Sequence, residues 1–247
     1  PKNSEDVKKV VKFVSENKAR NPELSVTVRA AGSCMSGGSL NESIILDVSK
    51  YLNKVSVDKD KKEATIQPGA FYRDFEVETL SKGLILPCYT ASKNLCALGG
   101  MIGNNAAGEK TLQYGKMENF VKEVRIVLSD GEEYTFKPLS RVEALAKSHE
   151  NTVEGEVYEK VLKILDENRE LIKEAKPKVS KNSAGYYLWN IEHDGMIDLV
   201  KVIVGSQGTL GIVTEAKIKL EEVKHQSKLL VIFMKDLSGL GSLVNTI

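Results

Sequence analysis

Three stretches of small residues interrupt this chain: RAAGSCMSGGS (Arg29–Ser39), GGMIGNNAAGEKTLQYG (Gly99–Gly115) and GSQGTLGIVTE (Gly205–Glu215). The second puts five glycines and two adjacent asparagines into seventeen residues, with almost nothing bulky to bury. Side chains this small leave main-chain N–H groups bare and let backbone press closely on backbone or on a ligand. A flexible linker has a similar composition, but a linker has no need of strands on either side. Here each stretch lies between β-branched runs, so the pattern predicts three loops set between strands and wrapped around one elongated ligand. Taken singly, Arg29–Ser39 reads equally well as a mobile surface turn. Its consecutive N–H groups would suit a diphosphate, yet it carries neither the Gly-Lys-Ser/Thr of a P-loop nor G-x-G-x-x-G.

Around these loops the pattern predicts an α+β chain. Ser4 with Glu5 and Asp6 reads as a helix start, and Val7, Val10, Val11 and Val14 recur at helical spacing toward Asn17–Arg20. SVTVRA, SIILDVS and EATIQPG read as short strands. A second helix is predicted over Ala70–Lys82, with Phe71, Phe75 and Leu80 near helical spacing and Gly83 as its C-terminal stop. VKEVRIVLSDGEEYTF alternates on both sides of Asp130-Gly131 and predicts a hairpin. Helices follow at Val142–Ser148 and Val157–Ala175. DLVKVIVGS, LGIVTEAKIKLEEV and KLLVIFM read as strands, and DLSGLGSLVNTI begins to look helical.

With 247 residues, 41% of them hydrophobic, the chain can build a core, and a formal charge of +1 gives no general reason to expect nucleic acid or an anionic membrane as partner. No run reaches membrane-spanning length and the first residues do not resemble a signal peptide, so an intracellular, cytoplasmic protein is expected. Cys34, Cys88 and Cys96 match no disulfide or zinc pattern and read as reduced packing residues. His149, His193 and His225 are scattered in polar company, and no metal site is expected.

In order and spacing the three stretches resemble the signatures of the FAD-linked oxidases of the vanillyl-alcohol-oxidase and PCMH superfamily, in its glycolate oxidase D-subunit and D-lactate or D-2-hydroxyacid dehydrogenase branch. The likeness runs from about Pro1 to Leu220 and implies a PCMH-type FAD-binding domain of two α+β lobes with FAD between them. The lobes would span residues 1–57 and 58–220, with 221–247 the start of a truncated cap domain. By this resemblance Ala30, Ala31, Gly32, Ser33, Cys34, Met35 and Ser36 grip the FAD diphosphate, with two alanines where relatives usually show glycines. Pro87, Ser92, Leu98, Gly99 and Gly100 follow the ribityl and diphosphate region. Asn104, Asn105, Ala107 and Gly108 form the turn beside the flavin. Gly208, Thr209, Gly211, Ile212 and Val213 close on the cofactor, with Gln207 in place of the commoner acid. Lys181, Asn182 and Tyr186 in KNSAGYYL are substrate-side candidates, lysine being the weakest because most lysines are solvated.

Some relatives attach flavin through a histidine in the first loop; here that region offers Cys34, so dissociable FAD is expected, a cysteinyl link being the alternative. In this branch the flavin takes a hydride equivalent from a small D-2-hydroxy acid while a base removes the hydroxyl proton. The resemblance puts that base and any metal-binding histidines in the cap domain, so no catalytic residue is assigned and the fragment alone is expected to be inactive. Two other readings stay open. One is a flavin-binding electron-transfer module in a multi-subunit complex, with an iron–sulfur partner and an unassigned electron acceptor; the other is a non-flavin domain binding another phosphate ligand.

Overall fold

The structure, a computed structural model, describes residues 1–179, 182–224, 226 and 230–246. Helix α1 (Ser4–Asn17) opens the chain. Its cap is Asn3, one residue before the expected Ser4: the Asn3 side chain accepts the Asp6 N–H at 3.1 Å, which satisfies one of the donors a helix start leaves unpaired. Strands β1 (Val26–Arg29) and β2 (Ile44–Asp47) pair in parallel, and the first small-residue stretch is the connection between them. The buried face of α1, Val7 and Val11, packs with Leu46, Val48 and Leu52 as a small core that also takes in Val127 and Ile212.

The main body follows. Strands β3 (Val55–Asp58) and β4 (Glu63–Ile66) form an antiparallel pair, of which the sequence pattern showed only the second. Helix α2 (Tyr72–Ser81) ends, as predicted, on Gly83 at φ +73°, where the missing Cβ removes the usual left-handed penalty. Its buried residues are Tyr72, Phe75 and Thr79, while Leu80 points outward at 45% exposure. After β5 (Leu84–Ile85) the second small-residue stretch is not simply a loop: Leu98–Gly103 is helix α3 and Thr111–Tyr114 helix α4.

Strands β6 (Val121–Val127) and β7 (Glu133–Phe136) form the predicted hairpin. Gly131 sits at φ +79° with its N–H on the Leu128 carbonyl at 3.0 Å, and the Leu128 N–H bonds Glu132 O at 3.0 Å, a turn closed by a glycine bulge. Then come β8 (Leu139–Ser140), α5 (Arg141–Ser148), α6 (Val153–Glu167) and α7 (Arg169–Ala175). The single helix expected over 157–175 thus starts earlier, because Thr152 accepts the Gly155 N–H at 3.0 Å, and breaks at Asn168 (φ −126°, ψ 22°).

Strands β9 (Glu192–His193) and β10 (Met196–Ile197) join β8 in a small sheet. The expected strand DLVKVIVGS is instead helix α8 (Val200–Ile203): the Asp198 carboxylate, 3% exposed, accepts the Val200 N–H at 3.0 Å and starts a helical turn that the β-branched run did not suggest. Strand β11 (Ile212–Lys219) closes the five-stranded antiparallel sheet, order β3-β4-β11-β6-β7, and its burial alternates residue by residue. Strand β12 (Glu221–Glu222) pairs with β5, and α9 (Leu240–Thr246) is helical as expected. The boundary drawn at 57/58 runs through β3, which is bonded along its length to β4. Of KLLVIFM, Leu230–Met234 is described and is no strand. Among the described residues no neighbouring strand pairs with it, and Phe233 is 94% exposed.

Candidate functional site

A cleft of about 400 Å³ lies where the three small-residue segments meet. One wall is β1 and the loop after it, from Val28 and Ala30 to Ser39; a second is Cys96 to Ala106, including α3; a third is Ile203 to Val213. Val48, Pro68, Thr90 and Ser92 complete it. Segments more than a hundred residues apart in sequence therefore share one groove.

Backbone contacts hold these walls together. The Gly99 N–H donates to the Pro68 carbonyl at 2.8 Å, and a Cβ on Gly99 would lie 2.5 Å from Pro68 Cβ and 2.7 Å from that carbonyl oxygen. Gly99 is therefore a glycine because two chain segments touch there. Gly100 differs: a Cβ would meet nothing closer than Ala30 Cβ at 4.0 Å, so it would project into the cleft. At the far end of α3, the N–H groups of Gly205 and Gln207 donate to the carbonyls of Ile102 and Gly103, both at 2.9 Å. The Gln207 amide also donates to Asn104 Oδ1 at 3.1 Å, with Gln207 at φ +57°.

The first loop supplies donors. Among the described residues no protein acceptor takes the N–H groups of Ala31, Gly32, Ser33 or Met35, nor that of Gly100 across the cleft. Arg29 folds back over Gly32, leaving its Nε 2.7 Å from where a Cβ would stand. Cys34, expected to be a packing residue, is exposed; the Ser36 hydroxyl 2.9 Å from its Sγ holds its thiol below the usual range. Cys88 and Cys96 are buried, as expected, and burial pushes the Cys88 thiol up to about 12. The lining includes no Asp, Glu, His, Lys or Arg. Such a wall can hold an extended ligand by main-chain donors and apolar contact, but it offers neither a general base nor a cation for a carboxylate.

Of the residues singled out from sequence, Ala30, Ala31, Gly32, Ser33, Cys34, Met35, Ser92, Gly99, Gly100, Asn104, Gly208, Gly211 and Val213 line the cleft. Ser36, Pro87, Leu98, Asn105, Ala107, Gly108, Thr209 and Ile212 do not. Leu98 and Ile212 are core residues, and a Cβ on Gly108 would lie 1.8 Å from Tyr89 O, so its glycine serves chain packing. Asn105 is 1% exposed at φ +46°; its Oδ1 accepts the Glu118 N–H at 3.0 Å and its Nδ2 has no partner among the described residues. Thr209 donates to Ser206 O at 2.6 Å and meets the Tyr186 hydroxyl at 2.7 Å, so Tyr186 is tied to the third loop without lining the cleft. Asn182 turns its side chain to the Ala184 N–H, while its carbonyl accepts from Lys116 Nζ at 2.6 Å. Lys181 lies outside the described residues. Outside the three stretches, sequence reasoning missed Val28, Val48, Pro68 and Ile203 as lining residues; of these only Pro68, in a Pro-Gly turn, carried a local signal.

Comparison with known proteins gives a matching family model, described as FAD binding domain, over residues 1–137. The chain is 30% identical over 223 residues to the D-2-hydroxyglutarate dehydrogenase of Pantoea ananatis, covering 89% of this chain and 22% of that protein. It is 25% identical over 249 residues to the glycolate oxidase subunit GlcD of Bacillus subtilis, covering 100% of this chain and 41% of that one. The chain thus spans less than half the length of these relatives. Among solved structures, 6-hydroxy-D-nicotine oxidase from Arthrobacter nicotinovorans superimposes with a TM-score of 0.57 at 19% identity, over 90% of this chain and 35% of that one, which is a likeness of fold.

Proposed function

Since the chain belongs to the FAD binding domain family, we propose that it is the flavin-holding part of a dehydrogenase that oxidises a small D-2-hydroxy acid of the lactate, glycolate or 2-hydroxyglutarate type. The observation that carries this is the convergence of Ala30–Met35, Gly99–Asn104 and Gln207–Val213 on one groove with unclaimed main-chain donors and an open Cβ position at Gly100. FAD is the cofactor of this family, and the groove suits it: bare N–H groups for a diphosphate and small side chains for close approach. In this reading the N–H groups of Ala31 to Met35 and of Gly100 hold the diphosphate. Asn104 and Gln207, paired by their amides, fix the third loop against the end of α3. Bound flavin supplies the hydride acceptor. The substrate class follows the names of the relatives.

The cleft is lined by no Asp, Glu, His, Lys or Arg, so the proton acceptor and the carboxylate-binding cation are proposed to come from outside these walls. The test is titration of the purified chain with FAD. A yellow complex that releases all its flavin on denaturation supports dissociable binding, and little turnover of D-2-hydroxy acids with a dye acceptor is expected from these 247 residues. Failure to take up FAD would overturn the assignment. The likeness to a protein named as a subunit favours a second reading, an electron-transfer module within a complex. Co-purification with an iron–sulfur protein, without hydroxy-acid turnover by the flavoprotein itself, would select it.

A further inference from the structure

A second concavity, sharing no residue with the glycine-lined cleft, lies between α6, α7 and the 3-10 turn Leu188–Asn190. Its apolar surface is Leu165, Ile172, Leu188 and Trp189; its polar surface is Arg169, Lys173, Lys176 and Glu192. The chain breaks at Asn168 between α6 and α7, and α7 packs against Leu188–Asn190.

The charges are unequal in what they already do. Glu192 accepts from Arg141 at 2.9 Å and pairs with Arg169 at 3.1 Å, so its carboxylate is neutralised from two sides. Arg169 is further tied to Asp166 at 3.6 Å. Lys173 and Lys176 have no carboxylate partner among the described residues. The concavity thus pairs an apolar, tryptophan-bearing floor with two uncommitted ammonium groups. Solvated surface lysines are common, but these two border an apolar hollow, where a carboxylate gains charge-assisted hydrogen bonds while its carbon skeleton leaves water.

We propose that this concavity binds a small apolar monocarboxylate, its carboxylate on Lys173 and Lys176 and its hydrocarbon body against Ile172, Leu188 and the Trp189 ring. The space, about 250 Å³ and open to solvent on one side, suits a short-chain acid such as hexanoate. The Trp189 ring lies 5.0 Å, centroid to centroid, from that of Tyr187, whose hydroxyl accepts from Lys116 at 2.6 Å. Occupancy therefore acts on the segment that, through Tyr186 and Thr209, is tied to the third loop of the cleft.

Trp189 is the only tryptophan of the chain, so its fluorescence reports on this site directly. The FAD-loaded protein is titrated with hexanoate, and with hexanamide as the uncharged match. The expected result is a saturable change in Trp189 emission with hexanoate, at least tenfold weaker with hexanamide. The exposed-site double variant K173E/K176E should weaken hexanoate at least tenfold while leaving FAD uptake unchanged. Equal response to acid and amide, retention of hexanoate binding in the double variant, or no saturable change up to about 10 mM, where binding is weaker than about 3 kcal/mol, would each overturn the proposal.

Discussion

Gly99 and Gly100 are adjacent glycines in α3 that answer to different demands, and exchanging each for a larger residue separates folding from cofactor binding. A Cβ at Gly99 meets Pro68 Cβ at 2.5 Å and Pro68 O at 2.7 Å, and those atoms are backbone and a rigid ring that cannot swing aside. Gly99→Ala is overpacked, at a cost of about 1–3 kcal/mol, and strains the Gly99-to-Pro68 hydrogen bond. At Gly100 the nearest atom is 4.0 Å away, so Gly100→Leu leaves the free protein as stable as before, or up to about 1 kcal/mol more stable through helix propensity. The leucine side chain then fills the groove between α3 and Ala30. In the unchanged protein, FAD at a hundred times its Kd adds about 2.7 kcal/mol. With about 2–4 °C per kcal/mol for a chain of this size, that raises Tm by about 5–11 °C. Melting curves with and without FAD should therefore show an early melt with a retained FAD shift for Gly99→Ala, and a normal melt with no shift for Gly100→Leu. A Gly100→Leu protein that melts normally and still gains the full shift would refute the placement of FAD along this wall.

Cys34, exposed and held below the usual thiol range by the Ser36 hydroxyl, carries more thiolate at neutral pH than an ordinary cysteine, whereas Cys88 carries almost none. Alkylation should go first to Cys34, slow several-fold at pH 7 in Ser36→Ala as the thiol pKa moves back up, and be suppressed by FAD; mass-mapped alkylation rates against pH check all three. Asn105 combines a left-handed backbone with a side-chain bond to the Glu118 N–H. Asn105→Gly keeps the backbone and loses the bond, at a cost of about 1–3 kcal/mol, while Asn105→Ala adds about 1–2 kcal/mol of backbone strain. Chemical denaturation of the two variants measures the difference, and equal stabilities would show that the backbone conformation is not held.

The parts of this fold that the sequence discloses are those decided within a few residues. Asp130-Gly131 sets the β6–β7 hairpin because a left-handed glycine is needed at that one point, and Gly83 ends α2 for the same reason. Val200–Ile203 deceives because its β-branched residues favour a strand, while the helical turn depends on Asp198 accepting the Val200 N–H in a site that only tertiary packing buries. Val55–Asp58 alternates valine with polar residues over only four positions, too short a run to stand out, and pairs along its length with β4. The functional glycines are half legible for a different reason. A missing Cβ serves both where chain meets chain, as at Gly99 against Pro68 and Gly108 against Tyr89, and, in the reading proposed above, where chain meets ligand, as at Gly100. The letter is the same in both cases, so a small-residue stretch marks close approach without saying to what. What separates the two is the atom that an added Cβ would strike. A Cβ at Gly100 would meet nothing closer than Ala30 Cβ at 4.0 Å, in the wall of a groove built by three distant segments, so chain packing does not account for this glycine, and the proposed FAD would take up the room beside it.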